Sequence, residues 1–298
     1  MASPEATTAI NMFRAAKAES QSLTTVDEFR VWYEGFTAQF DVPEDTVVEQ
    51  VGAGGVAAEW ISVPGVSEEK VVMYLHGGGY MIGSTRTHRV PMSYLSRASG
   101  ARVLVLNFRL APEHPFPAAV EDSVAAYRWL LEQGISPGNI VIGGDSAGGG
   151  LTLATLVALR YMGDPLPAAG ISHSGWCDLA NTGATFVTKA EEDPIIDKEM
   201  VDNMALTYLG DRDRTTPLAS PYYADLRGLP PLLMQVGGAE VLLDDSIRTA
   251  ERAKEAGVDV TLKIWDGMPH VWQVFASFVP EAQQSLEECG EFIKKHTS

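Results

Sequence analysis

The feature that most restricts what this chain can fold into is a rhythm. From about residue 45 onward, short apolar runs rich in β-branched residues alternate with longer stretches of helical pattern. The runs lie at 56–62, 71–76, 102–108, 140–145, 168–174, 231–237 and 258–265. Several have no polar interruption, as in Val-Val-Met-Tyr-Leu at 71–75 and Val-Leu-Val-Leu at 103–106, and strands covered on both faces read this way. Helical patterns at 91–98, 118–133, 147–161, 244–256 and 280–296 separate them. Repetition of strand, helix, strand predicts an α/β fold, a mostly parallel sheet with helices on both faces. The last run instead alternates Val258, Val260, Leu262 and Ile264 with Asp259, Thr261, Lys263 and Trp265. That pattern predicts an edge strand with one exposed face, and with it a surface for a homodimer contact.

Two stretches stand outside the rhythm. Residues 1–40 are helical in character and carry Phe13, Phe29, Trp32, Phe36 and Phe40; residues 178–220 interrupt the βα order and carry Met200, Met204, Leu206 and Tyr208. A linker would hold fewer aromatics, so both are read as one helical cap over the C-terminal edge of the sheet, where open α/β sheets bind ligands. The catalytic core then comprises 41–177 and 221–298.

Charge and composition exclude several functions. There are 39 Asp+Glu against 22 Lys+Arg, a net charge of −17, which argues against nucleic acid or an anionic membrane as partner. No apolar run approaches the roughly 18 residues of a membrane span, and the first twenty residues lack the apolar centre of a secretory signal. Cys177 and Cys289 match no metal or redox spacing and read as reduced thiols. These features together predict a soluble cytoplasmic protein.

Gly144-Asp145-Ser146-Ala147-Gly148 closes the run at 140–145 and opens a helix. Small residues two before and two after a serine allow the sharp turn that projects a nucleophilic hydroxyl. A chain with 19 Ser and 28 Gly would contain such a pattern by chance about 0.2 times, so its placement between strand and helix carries more weight. A dinucleotide-binding turn would instead follow the first strand, and Asp145 would repel a phosphate. His76-Gly77-Gly78-Gly79-Tyr80 follows the run at 71–75. Three glycines weaken regular structure, but they let backbone N–H groups point at the oxyanion of an acyl-transfer intermediate. Gly77, Gly78 and Ala147, the last at a helix N-terminus, are the expected donors, with Gly79 as a further one. His76 is expected to brace this loop.

His-Gly-Gly-Gly-Tyr, then Arg-Leu-Ala-Pro-Glu-His-Pro-Phe-Pro-Ala-Ala-Val-Glu-Asp at 109–122, then Gly-Asp-Ser-Ala-Gly-Gly-Gly, in this order, resemble the hormone-sensitive-lipase family of carboxylesterases. The likeness covers roughly 60–298, with Phe108 where the family often has Tyr. It implies the α/β-hydrolase fold, a mostly parallel eight-stranded sheet flanked by helices with a small helical cap. It also implies a Ser-His-acid triad, activity on short acyl esters, and no cofactor or metal.

The base follows by elimination among six histidines. His76 and His114 sit in structural loops, His173 on a buried strand and His296 in the tail. His88, near the glycine loop, could at most touch substrate. His270 lies in a Gly/Pro loop after the last strand, which gives the order Ser, acid, His. The acid belongs in the turn after 231–237, where Glu240, Asp244 and Asp245 are available. The family usually has Asp-Pro-Leu where this chain has Glu240-Val241-Leu242, so the resemblance implies Glu240. Asp244 remains the alternative, although a carboxylate there is also expected simply as a helix cap.

The expected activity is hydrolysis of a small neutral ester by Ser146, His270 and Glu240, with Tyr80, Met81 and Trp176 as substrate contacts. A lactone hydrolase would use the same groups. A non-catalytic hormone receptor on the same fold resembles this family but lacks the catalytic histidine.

Overall fold

A computed structural model describes residues 2–298. Eight strands form one sheet: β1 (Val47–Ala53), β2 (Val56–Ser62), β3 (Ser67–Leu75), β4 (Ala101–Leu106), β5 (Ile140–Asp145), β6 (Ala169–His173), β7 (Leu232–Gly237) and β8 (Val260–Trp265). Their spatial order is β1-β2-β4-β3-β5-β6-β7-β8. β2 runs antiparallel to both β1 and β4, and the other neighbours are parallel. This is the α/β-hydrolase fold.

Among the described residues, nine helices accompany the sheet: α1 (Pro4–Ser20), α2 (Val26–Thr37), α3 (Arg89–Ser99), α4 (Ala118–Glu132), α5 (Ala147–Met162), α6 (Thr185–Thr188), α7 (Lys198–Leu209), α8 (Leu243–Glu255) and α9 (Pro280–His296). The alternation of side chains along a strand separates two cores. Val71, Met73 and Leu75 of β3 join α4, α5 and part of α7 in one. Val72 and Tyr74 of the same strand join α1, α3 and α9 in the other. Every residue of β5 is buried, as a central strand covered twice must be.

Two expectations change here. β1 is absent from the apolar runs because it is a polar ribbon, with Val47 45% exposed and only Ala53 buried. β8 does lie at the edge, but its faces do not follow the simple alternation. Trp265 is buried at 8% exposure and Ile264 is 47% exposed. Trp265 turns inward against Trp272, and the Lys263 ammonium lies 4.3 Å from the Trp265 ring centre.

The aromatics of 1–40 have a defined seat. Phe275 packs against Phe13, Phe40 and Phe36, with ring centres 4.7, 5.2 and 6.2 Å away. At the start of α1, Ser3 donates from its amide and hydroxyl to the Glu281 carboxylate of α9, at 2.7 and 2.8 Å. Thr25 and Glu28 form a reciprocal cap at the start of α2. Residues of 178–220 contribute Leu179, Val201, Ala205, Tyr208 and Leu209 to the first core. No helix among the described residues is long and apolar enough to cross a membrane.

Candidate active site

Ser146 occupies the turn between β5 and α5 with φ 54° and ψ −121°. A side chain there is strained and persists only where the surroundings hold it. The Ser146 amide donates to His173 O at 2.8 Å, and Ser146 O accepts from the Trp176 amide at 2.8 Å. The turn is so tight that a Cβ on Gly148 would stand 1.9 Å from Leu75 O, and one on Gly144 would stand 2.3 Å from Gly148 O. The glycines thus allow β3, β5 and α5 to meet at one point.

His270 follows β8, and its Nε2 lies 2.9 Å from Ser146 Oγ while its Nδ1 lies 2.6 Å from Glu240 Oε2. Both contacts are satisfied by the tautomer that carries its proton on Nδ1. Glu240, fully buried in the turn between β7 and α8, uses its other oxygen to accept from Ser174 Oγ at 2.8 Å and the Gly237 amide at 2.6 Å. Burial disfavours the imidazolium of His270. The charge and hydrogen bond of Glu240, helped by Asp193 and Asp145, outweigh burial and raise its pKa above the ordinary 6.5. Asp244 is not within this chain of contacts. It accepts the Thr185 amide at 3.1 Å and so ties α6 to the start of α8.

Behind Ser146 lies a buried polar group. Asp145 accepts the Gly77 amide at 3.1 Å and meets His88 Nε2 at 3.0 Å. Burial alone would raise the Asp145 carboxyl, but His88, then His173 and His76, hold it below its usual value. Burial lowers His76 and His173 to about 4, so both are neutral near pH 7. His76 Nδ1 approaches Gly77 O at 2.7 Å, and its ring stacks on Phe108.

This arrangement departs from two expectations. The Gly77 amide is committed to Asp145, and Gly77 does not face the cavity, whereas Gly78 and Gly79 line it. Gly77 thus has its amide already bonded within the chain. Tyr80 and Met81 do not line the cavity either. Tyr80 is buried with its ring stacked flat on Tyr208, centres 3.8 Å apart, and Met81 turns to a neighbouring groove. His88, 1% exposed, lies against Asp145.

Over Ser146 and His270 stands a cavity of about 110 Å³. Its walls include Trp176, Phe29, Trp32, Tyr33, Ile195 and Met204, so residues of 13–36 and 195–204 line it together. Among the described residues, no three His, Cys, Asp or Glu side chains stand together to hold a metal ion.

The sequence of the α/β hydrolase fold family matches residues 72–274. An acetyl-hydrolase of Streptomyces hygroscopicus is 47% identical over 83% of this chain and 82% of its own length. An esterase of Acinetobacter venetianus is 36% identical, covering 82% and 81%. The crystal structure of an esterase from the bacterial hormone-sensitive lipase family superposes with a TM-score of 0.97 at 53% identity, covering 100% of both chains. The chain belongs to the hormone-sensitive lipase family. It is a carboxylic ester hydrolase, as the names of its relatives indicate.

Within this family member, two contributors to the site escaped sequence reasoning. Ser174, at φ 47°, donates to Glu240 and accepts the Val271 amide at 3.2 Å, so one hydroxyl links the acid turn to the histidine loop. Asp193 accepts the Val241 amide at 2.8 Å and the amides of Ile195 and Ile196 at 3.0 and 2.9 Å. It thereby joins a cavity wall to the acid turn. Neither residue had a signal, because each acts through partners distant in sequence.

Proposed function

We propose that this esterase hydrolyses short, neutral carboxylic esters through an acyl-enzyme on Ser146. The observation that carries the reading is the unbroken chain Ser146–His270–Glu240, at 2.9 and 2.6 Å, on the floor of a small, aromatic-walled cavity. Ser146 Oγ attacks the ester carbonyl carbon as its proton passes to His270 Nε2. Glu240 stabilises the resulting imidazolium and holds the ring's orientation. The amides of Gly78, Gly79 and Ala147 receive the oxyanion. The first two are bound to no acceptor of the chain, and Ala147 opens α5, where an amide has no partner within the helix.

When the C–O bond to the alcohol breaks, His270 returns the proton to the leaving oxygen. A water then gives a proton to His270 and attacks the acyl carbon. Ser146 recovers that proton as the carboxylic acid departs. No step calls for a cofactor. In this reading, α1, α2 and the 178–220 segment serve as a cap that excludes water and limits acyl length, and Trp176 contacts the substrate. The net charge of −17 favours neutral substrates over anionic ones.

A series of p-nitrophenyl esters and a panel of lactones, read as kcat/KM, tests substrate class. The expected profile peaks at short acyl chains, and a lactone preferred over every ester would refute it. A fluorophosphonate should label one site, and Ser146→Ala should abolish labelling.

A further inference from the structure

The amides assigned to the oxyanion lie in an unfavourable stretch of backbone. Gly78, Gly79 and Tyr80 all have positive φ, at 112°, 62° and 62°. For Tyr80, which carries a side chain, that conformation must be held by its surroundings. The amides of Met81 and Ile82 both return to Gly78 O at 3.0 Å and close a single turn. Those bonds shape the turn but do not fix its orientation toward Ser146.

Contacts from outside do that. Tyr80 O accepts the Ala111 amide at 2.9 Å. From α2, Arg30 donates through Nε to Met81 O at 2.9 Å and through Nη2 to Ala111 O at 3.1 Å. One guanidinium thus bridges the glycine turn and the segment that grips the turn's other side. It also pairs with the Glu113 carboxylate through Nη1 and Nη2, at 2.7 and 2.8 Å. A different face of the same helix turns Phe29, Trp32, Tyr33 and Phe36 into the cavity.

Building on the acyl-transfer reading above, we propose that Arg30 is a positioning residue for the oxyanion donors. It touches no reacting atom. By pinning Met81 O and Ala111 O together, it keeps the Gly78 and Gly79 amides aimed at the place where negative charge develops, and it makes that aim depend on α2 being seated. Preorganised donors act on the transition state, so loosening them lowers kcat and spares ground-state binding.

The test compares Arg30→Ala with Glu113→Gln, which leaves both carbonyl bonds in place. The readouts are kcat and KM on p-nitrophenyl acetate and the inhibition constant of an alkyl trifluoromethyl ketone, whose adduct with Ser146 carries an oxyanion. For Arg30→Ala, kcat should fall about tenfold with KM within about twofold, and ketone affinity should fall by the same factor as kcat. Glu113→Gln should keep both within about twofold. Ketone affinity equal to wild type, or a change confined to KM, overturns the proposal. So does a loss in Glu113→Gln as large as in Arg30→Ala, because the ion pair would then be what matters. Should Arg30→Ala not fold, Arg30→Lys, which keeps the charge but cannot serve both carbonyls in the fork's geometry, carries the same comparison. A wild-type enzyme indifferent to the ketone overturns the Ser146 reading itself; a wild type that binds it beside an unaltered Arg30 variant overturns this proposal alone.

Discussion

Replacing Glu240 by Gln would probe the polarity of the whole site with little change of shape. Glu240 is fully buried and makes three contacts, to His270 Nδ1 at 2.6 Å, Ser174 Oγ at 2.8 Å and the Gly237 amide at 2.6 Å. The Gln carbonyl can keep Ser174 and Gly237, so the turn survives. Its NH2 group, however, then faces His270 Nδ1, which must give up its proton. The ring is driven to the tautomer with Nε2–H, and the lone pair that should receive the Ser146 proton is lost. The comparable substitution in a serine protease triad costs about 10⁴ in kcat, or about 5.5 kcal/mol of barrier, and a loss of that order is expected here.

The pH profile supplies a second reading of the same substitution. In the proposed mechanism the enzyme needs neutral His270, whose pKa lies above 6.5 because Glu240 outweighs burial. The acid limb of kcat/KM should therefore sit above 6.5 in the wild type. In the variant the burial remains and the carboxylate charge does not, so the limb should move to lower pH. The assay is p-nitrophenyl acetate hydrolysis from about pH 5 to 9, with Asp244→Asn as the control. The Asp244 carboxylate accepts the Thr185 amide, and its variant should retain kcat within about threefold. A Glu240→Gln enzyme with more than about a tenth of wild-type kcat or an unmoved limb would refute the reasoning. A collapse in Asp244→Asn would do so equally.

Three further outcomes are expected. Asp245 accepts the amides of Cys177 and Asp178, each at 2.9 Å, leaves its other oxygen without a partner, and is pushed up to about 8 by burial, with the Asp178 charge adding to the rise. The folded protein then holds a proton that the unfolded chain releases near pH 4, so this contribution to stability is full at low pH, is lost as pH rises to about 8, and is flat above. Urea unfolding across that range should show a flatter dependence in Asp245→Asn, and parallel curves would contradict the assignment. Phe275→Ala empties the seat shared by Phe13, Phe36 and Phe40 and should cost about 3–5 kcal/mol in chemical denaturation; a loss below about 1 kcal/mol would mean that α1 and α2 are held by other contacts. The charge of −17 predicts that raising salt from about 10 mM to about 0.5 M narrows the kcat/KM gap between a neutral ester and its carboxylate-bearing analogue. A gap unchanged by salt would place the discrimination in the pocket walls.

Much of this was legible in one dimension because the relevant signals are local. A strand buried on both faces must be continuously apolar, so β3, β4 and β5 stood out, whereas β1, paired on one side only and largely exposed, did not. Ser146 was marked by glycines whose absent side chains permit the close approach of Leu75 O and Gly148 O. His270 was marked by order along the chain.

Amide availability was not legible, because a triplet of glycines looks the same whichever of its N–H groups is already taken. Asp145, far along the chain, takes that of Gly77. Nor did the pattern separate Tyr80, which is buried and stacks on Tyr208, from a side chain facing the cavity. Ser174, Asp193 and Arg30 matter only through partners that folding brings near. The sequence by itself therefore determined the layers, the order of the strands along the chain, and the turn that carries Ser146, since these follow from periodicity and from backbone sterics over a few residues. The tertiary structure alone decided which donors remain free, which aromatics face the cavity and which side chains hold the loops in register. Those depend on contacts between residues dozens to hundreds of positions apart, and no local pattern encodes such distances.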